Sequence, residues 1–95
     1  GLARPESVEA SVGDDSEEID LTWNRVERAR NYIIECRSHP EGAVDGPWQA
    51  VKIVSRSKHT VTGLVSGTRY AFRVRALGPN NVESPWSDEA VSLCA

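Results

Sequence analysis

The stretch from Leu64 to Leu77, reading Leu-Val-Ser-Gly-Thr-Arg-Tyr-Ala-Phe-Arg-Val-Arg-Ala-Leu, constrains the fold more than any other part of the chain. It holds one corner and one long strand. Gly67 supplies backbone freedom for the corner. After it, Tyr70, Phe72, Val74 and Ala76 alternate with Arg69, Arg73 and Arg75, the period-two pattern of a half-buried strand. A tyrosine just after a Gly-Thr corner can bury its ring while its hydroxyl bonds the backbone of the turn upstream, so Tyr70 is expected to lock the corner.

The rest of the chain follows the same period. Ser7–Val12 places Val8, Ala10 and Val12 on one face, and Glu18–Trp23 places Ile19, Leu21 and Trp23 inward. Between them Gly13-Asp14-Asp15-Ser16 is a turn. Asn24–Asn31, with Arg25, Arg28 and Arg30, is expected to be a loop, a short helix being the competing reading. Tyr32, Ile34 and Cys36 then share one strand face, opposite Ile33, Glu35 and Arg37. His39–Pro47 has two Pro and two Gly and is a loop. Trp48–Val54 is a strand whose inward face stays open, since Trp48 and Ala50 compete with Val51 and Ile53. His59–Thr62 forms a strand around Val61, Gly78–Pro85 a loop, and Ser87–Cys94 the last strand. Seven strands with turn signals between them and no helical period predict an all-β chain, a seven-stranded antiparallel two-sheet sandwich.

Length and charge set the limits. Ninety-five residues fit one domain, able to bury roughly 60–70% of the surface its unfolded chain exposes. Residues 1–4 are expected to be a linker remnant and 5–95 the single domain. With 14 acidic against 11 basic residues and a net charge of -3, the chain has no diffuse basic field, so nucleic acid is not an expected partner. No apolar run approaches the ~20 residues that cross a bilayer, so membrane insertion is not expected. The chain contains no Met, the expectation for a module cut from a longer protein.

These marks resemble the fibronectin type III module: Trp23 in strand B, Tyr32 and Ile34 in strand C, Leu64 before Gly67-Thr68 and Tyr70, and Phe72-Arg73-Val74-Arg75-Ala76. The resemblance covers nearly the whole chain. It implies an immunoglobulin-like sandwich with strands A-B-E in one sheet and C′-C-F-G in the other. Ser66 stands where many members have Pro before the Gly-Thr pair. The closing Ser84-Pro85-Trp86-Ser87-Asp88 is similar to versions found in bacterial extracellular proteins.

Several constellations could carry chemistry. In the implied topology strands C and G flank F, so Cys36 and Cys94 lie two strand spacings, ~9–10 Å, apart, beyond the ~7 Å limit for a disulfide. Two free thiols are expected, Cys36 as a small core residue; Cys94 could alternatively pair between chains. His39 and His59 stand alone, without metal-ligand spacing, and no metal or cofactor is expected. Ser66 and Ser87 lack a nucleophile elbow, and the carboxylates of Asp14–Asp20 are expected to be solvated. No enzyme activity is implied. Trp86-Ser87 matches half of a repeat that, in cytokine-receptor members of the family, stacks on F-strand arginines. Trp86 is therefore expected to lie across Arg75 or Arg73 in a cation–π contact worth ~0.5–1 kcal/mol at an exposed site.

Related modules recognise partners through the B–C and F–G loops, which here hold Arg25, Arg28 and Arg30, and Asn80, Asn81, Val82 and Glu83. An Arg-Gly-Asp triplet is absent. The expected function is a non-enzymatic spacer, adhesion or protein-interaction module of a larger, extracellular or cell-surface protein. The alternatives are a ligand-binding module of a receptor ectodomain, or an accessory domain of a secreted polysaccharide-degrading enzyme. Neighbouring domains are the expected partners, with a protein or glycan ligand open and the isolated domain a monomer. Two unpaired Cys would suit the cytosol equally.

Overall fold

Period-two alternation becomes seven strands in the computed structural model, which describes residues 1–95. They are β1 (Glu9–Val12), β2 (Ile19–Thr22), β3 (Asn31–Ser38), β4 (Gln49–Val54), β5 (Lys58–Val61), β6 (Arg69–Leu77) and β7 (Ala90–Leu93). They pair antiparallel into a three-stranded sheet ordered β1-β2-β5 and a four-stranded sheet ordered β4-β3-β6-β7. This is the A-B-E and C′-C-F-G arrangement that the resemblance implies. Asn24–Arg30 is a loop with one turn at Glu27–Arg28, not a helix.

The inward residues of both sheets form one core. Ile19, Leu21 and Trp23 meet Tyr32, Ile34, Phe72, Val74 and Ala76, with Val61 and Leu64 closing one side. Burial of each large aliphatic or aromatic side chain contributes about 1.5–3 kcal/mol. Two tyrosines fasten loops to this core. Gly67 adopts φ 82° at the corner, and the Tyr70 hydroxyl accepts a 2.9 Å hydrogen bond from Val65 N–H. The Tyr32 hydroxyl does the same for Val26 N–H at 2.9 Å, in a buried setting, while its ring meets Trp23 edge-on at 5.4 Å between centroids.

Three expectations need correction, and one face left open is settled. The first strand begins at Glu9 rather than Ser7, and Val12, assigned inward, is 54% exposed; at a sheet edge a side chain has a strand neighbour on one flank only. In β4 neither simple alternation holds. A bulge opposite Ile34 and Glu35 leaves Val51 without a partner in the register, so Val51 and Val54, three apart, pack on the core while Ile53 is 58% exposed. A bulge inserts one residue and shifts the faces on either side of it.

The last strand starts at Ala90, not Ser87, because side chains replace main chain along this part of β6. Ser84 N–H donates to Ala76 O at 2.9 Å and its Oγ accepts from Ala76 N–H at 2.8 Å. Ser87 treats Val74 identically, at 2.8 and 3.0 Å. Finally, within residues 1–4, Leu2 is buried in the core cluster rather than carried on a free linker. A Cβ on Gly78 would stand 2.7 Å from Leu2 Cδ1, so the glycine makes room for it.

Candidate functional site

Two regions hold the residues singled out by sequence. The first is the outer face of the four-stranded sheet. The double Ser84 and Ser87 attachments hold Trp86 down on β6, where its ring lies 4.1 Å from the Arg73 guanidinium and 4.4 Å from that of Arg75. Trp86 thus spans both arginines. The stack continues across the sheet, because Arg73 is also 4.3 Å from the Trp48 ring, whose same ring takes Arg37 at 4.3 Å. Arg37, Trp48, Arg73, Trp86 and Arg75 make one alternating ladder across the residue before β4, then β3, β6 and the segment before β7.

Carboxylates neutralise the ladder at each step. Arg73 donates twice to Glu35 Oε1, at 2.9 and 2.6 Å. Arg37 Nη2 reaches Glu89 at 3.0 Å and Asp45 at 3.2 Å, and Asp45 also pairs with His39 Nδ1 at 2.6 Å. Arg75 donates to Ser84 O at 3.0 Å and lies 3.6 Å from Glu83. With every guanidinium capped by an indole or a carboxylate, this face works as a clasp for the β7 lead-in and offers few free charges. Trp48, Arg37, Glu35 and Ser84 were not singled out by sequence. The signal that could have found them was the outward pair Glu35 and Arg37 on β3 beside the outward Arg73 and Arg75 on β6.

The second region is the pole bearing the B–C and F–G loops. Here the seven candidate loop residues separate. Arg28, Asn80 and Val82 line a cleft of about 290 Å³ with Gly1, Leu2 and Pro79, and Arg28 Nη2 donates to Gly1 O at 3.2 Å. Arg28, Asn80 and Asn81 all take left-handed backbone, φ 69°, 57° and 59°. Asparagine tolerates that region readily, whereas a long side chain there is held against a steric preference. Asn81 lines no cleft. Arg25 and Arg30 instead line a different cleft, with Tyr32 and the turn Ser55-Arg56-Ser57. Glu83 belongs with the ladder, facing Arg75 and bridging to Leu77 in the sheet.

The lone titratable groups stay apart from both regions. Cys36 and Cys94 are free thiols, Cys94 fully buried, and burial pushes the Cys36 thiol above its ordinary pKa. His59 is held below its ordinary pKa by burial and, secondarily, by the charge of Lys52.

A two-sheet sandwich of this kind has counterparts among known proteins. The sequence pattern of the fibronectin type III domain matches residues 3–92. The chain belongs to the fibronectin type III family. Among solved structures it is similar to a fibronectin-III-like protein from Clostridium thermocellum, at 31% identity over 95% of this chain and 90% of that one, with a TM-score of 0.79. It is also similar to the titin kinase with its flanking domains, at 25% identity and a TM-score of 0.77, where 97% of this chain covers 17% of that one. A β-1,2-glucanase from Parabacteroides distasonis shares the fold at 20% identity and a TM-score of 0.76, over 98% of this chain and 12% of that one. Fibronectin type III domains thus occur both as small units and as parts of much larger chains, and the fold generally serves as a non-catalytic module.

Proposed function

We propose that this fibronectin type III domain is a non-enzymatic spacer and interaction module that holds neighbouring domains in series within a larger protein. The observation that carries the reading is where the two ends of the chain lie. Gly1 sits against Arg28 and the cleft at Asn80, beside the end of the four-stranded sheet where Asn31 pairs with Leu77. Ala95 accepts from Glu17 N–H at 2.8 Å and Cys94 O accepts from Gly67 N–H at 2.8 Å, near the end where Arg69 pairs with Leu93. Entry and exit are therefore at opposite poles of a body 38 Å along its long axis. A domain attached at each pole is held apart by the length of the sandwich, and Leu2, buried, anchors the segment that leads into β1.

Support also comes from the clasp. It ties the segment before β7 to β6, on the part of the sheet where main-chain pairing is interrupted. Arg28, Asn80 and Val82 are placed to meet whatever precedes Gly1. The test is small-angle scattering on two copies joined end to end through residues 95 and 1. The series reading expects the second copy to lengthen the particle by roughly the 38 Å axis; a side-by-side particle with little increase in maximum dimension overturns it.

A further inference from the structure

The cleft lined by Arg25, Arg30, Tyr32 and Ser55-Arg56-Ser57 differs in character from the rest of this acidic chain. Ala29 completes its lining, and no carboxylate contributes to it. Elsewhere, Arg4, Arg37, Arg69, Arg73 and Arg75 each have a carboxylate within ion-pair distance. Arg25, Arg30 and Arg56 have none, although the chain holds 14 acidic residues against 11 basic; Arg28, outside this cleft, also lacks one and donates to Gly1 O instead. Three unpaired guanidinium groups therefore share one cleft of about 380 Å³.

Neutral donors complete the set. The Ser55 and Ser57 hydroxyls have no side-chain hydrogen bond within the protein, while the Tyr32 hydroxyl is buried against Val26 N–H beneath the cleft. The walls come from two segments that the backbone pins in place. Trp23 N–H donates to Ser57 O at 3.1 Å, and Arg30 N–H donates to Leu77 O at 2.8 Å. Fixed backbone attachment confines what a ligand must still order to the exposed arginine side chains themselves.

We propose that this cleft binds a tetrahedral oxyanion, the phosphate or sulfate ester group of a partner. Guanidinium forks match phosphate and carboxylate oxygens with paired hydrogen bonds. A carboxylate presents its acceptors in one plane, whereas a phosphate group presents three strong acceptor oxygens in three directions. Donors that approach from two separate segments, the B–C loop and the β4–β5 turn, suit the second. The site is independent of the in-series role, since it lies apart from the pole cleft that contains Gly1.

The test is a two-dimensional amide NMR titration of the isolated domain with inorganic phosphate, inorganic sulfate and acetate, at fixed ionic strength and pH 7.5. Saturable shifts confined to residues 25–32 and 55–57 are expected with phosphate and sulfate. Arg30→Gln and Arg56→Gln should each weaken that binding about tenfold, the loss of one charge-assisted hydrogen bond. Lys58→Gln, which removes a nearby surface charge from outside the cleft, should leave it unchanged. A preference for phosphate points to a phosphorylated partner and a preference for sulfate to a sulfated one, and either supports the site. Equal shifts with acetate, non-saturating shifts, or equal weakening by Lys58→Gln would mean a diffuse field and overturn it.

Discussion

Arg73 is the most informative residue to perturb, because it stands at the centre of the ladder. It has an indole on each side, Trp48 at 4.3 Å and Trp86 at 4.1 Å, and donates twice to Glu35. The Arg73 and Glu35 side chains are 25% and 23% exposed, which places their pairing between the surface and interior limits. Each cation–π contact contributes about 0.5–1 kcal/mol, and a surface-type ion pair about 0–1 kcal/mol after screening. Arg73→Ala is therefore expected to cost about 2 kcal/mol, with some of the loss from the aliphatic stem that covers the sheet. For a domain of this size that corresponds to a Tm about 8–16 °C lower. The assay is urea denaturation of Arg73→Ala, Trp86→Ala and the double variant, followed by circular dichroism so that the lost indole does not remove the signal. A coupling energy of about 0.5–1 kcal/mol between the two positions is expected for a direct contact. Additive losses would refute the clasp, and so would a Trp86→Ala protein as stable as the parent.

The two tyrosine hydroxyls should rank in a set order. Tyr32→Phe strands the buried Val26 N–H and should cost about 1–3 kcal/mol, whereas Tyr70→Phe frees an exposed Val65 N–H that water can reach and should cost about 0.5–1.5 kcal/mol; urea midpoints of the two variants check the ranking. The raised Cys36 pKa means the unfolded thiol ionises first, so the Cys36 contribution is intact below about pH 8.5 and declines as pH rises above it. Cys36→Ser should flatten that alkaline decline. In native protein a thiol reagent should label Cys36 before the fully buried Cys94, which reacts only on unfolding. For His59 the sign reverses. Its lowered pKa makes the unfolded state bind a proton first, so its contribution is intact above about pH 6.5 and is lost as pH falls below that. His59→Gln should lessen the loss of stability between pH 7 and 5, read from thermal midpoints.

What was legible in the sequence was whatever obeyed a single period. The inward faces of β2, β3 and β6 could be read directly, because Ile19 and Leu21, Tyr32 and Ile34, and Phe72, Val74 and Ala76 alternate with more exposed residues, although Ala71 beside Phe72 is buried as well. The β4 face could not be read, since the bulge sets Val51 and Val54 three apart and breaks the very rule used to read strands. The late start of β7 was hidden for another reason. Ser84 and Ser87 satisfy β6 main-chain groups with side-chain oxygens, and nothing in residue spacing distinguishes that from a strand. Trp86 was placed on the correct arginines by family resemblance. Trp48 was missed because its partners, Arg37 and Arg73, come from two other strands and meet it only after the sheet has formed. The loop candidates were treated as one surface, yet Arg25 and Arg30 diverge from Arg28 within a single loop, as its left-handed backbone at Arg28 redirects the chain.

The bulge in β4 also bears on how copies of this domain coexist at high local concentration. β4 is the outer strand of its sheet, and a straight outer strand offers a row of free amides and carbonyls onto which a second molecule can add. Here the row is broken at Val51, and Lys52 carries a charge at the same point. A strand from another copy that tried to extend the sheet would lose register there and meet a cation. Wherever two such edges meet, the misfit at Val51 disfavours the templating of one sheet on the other.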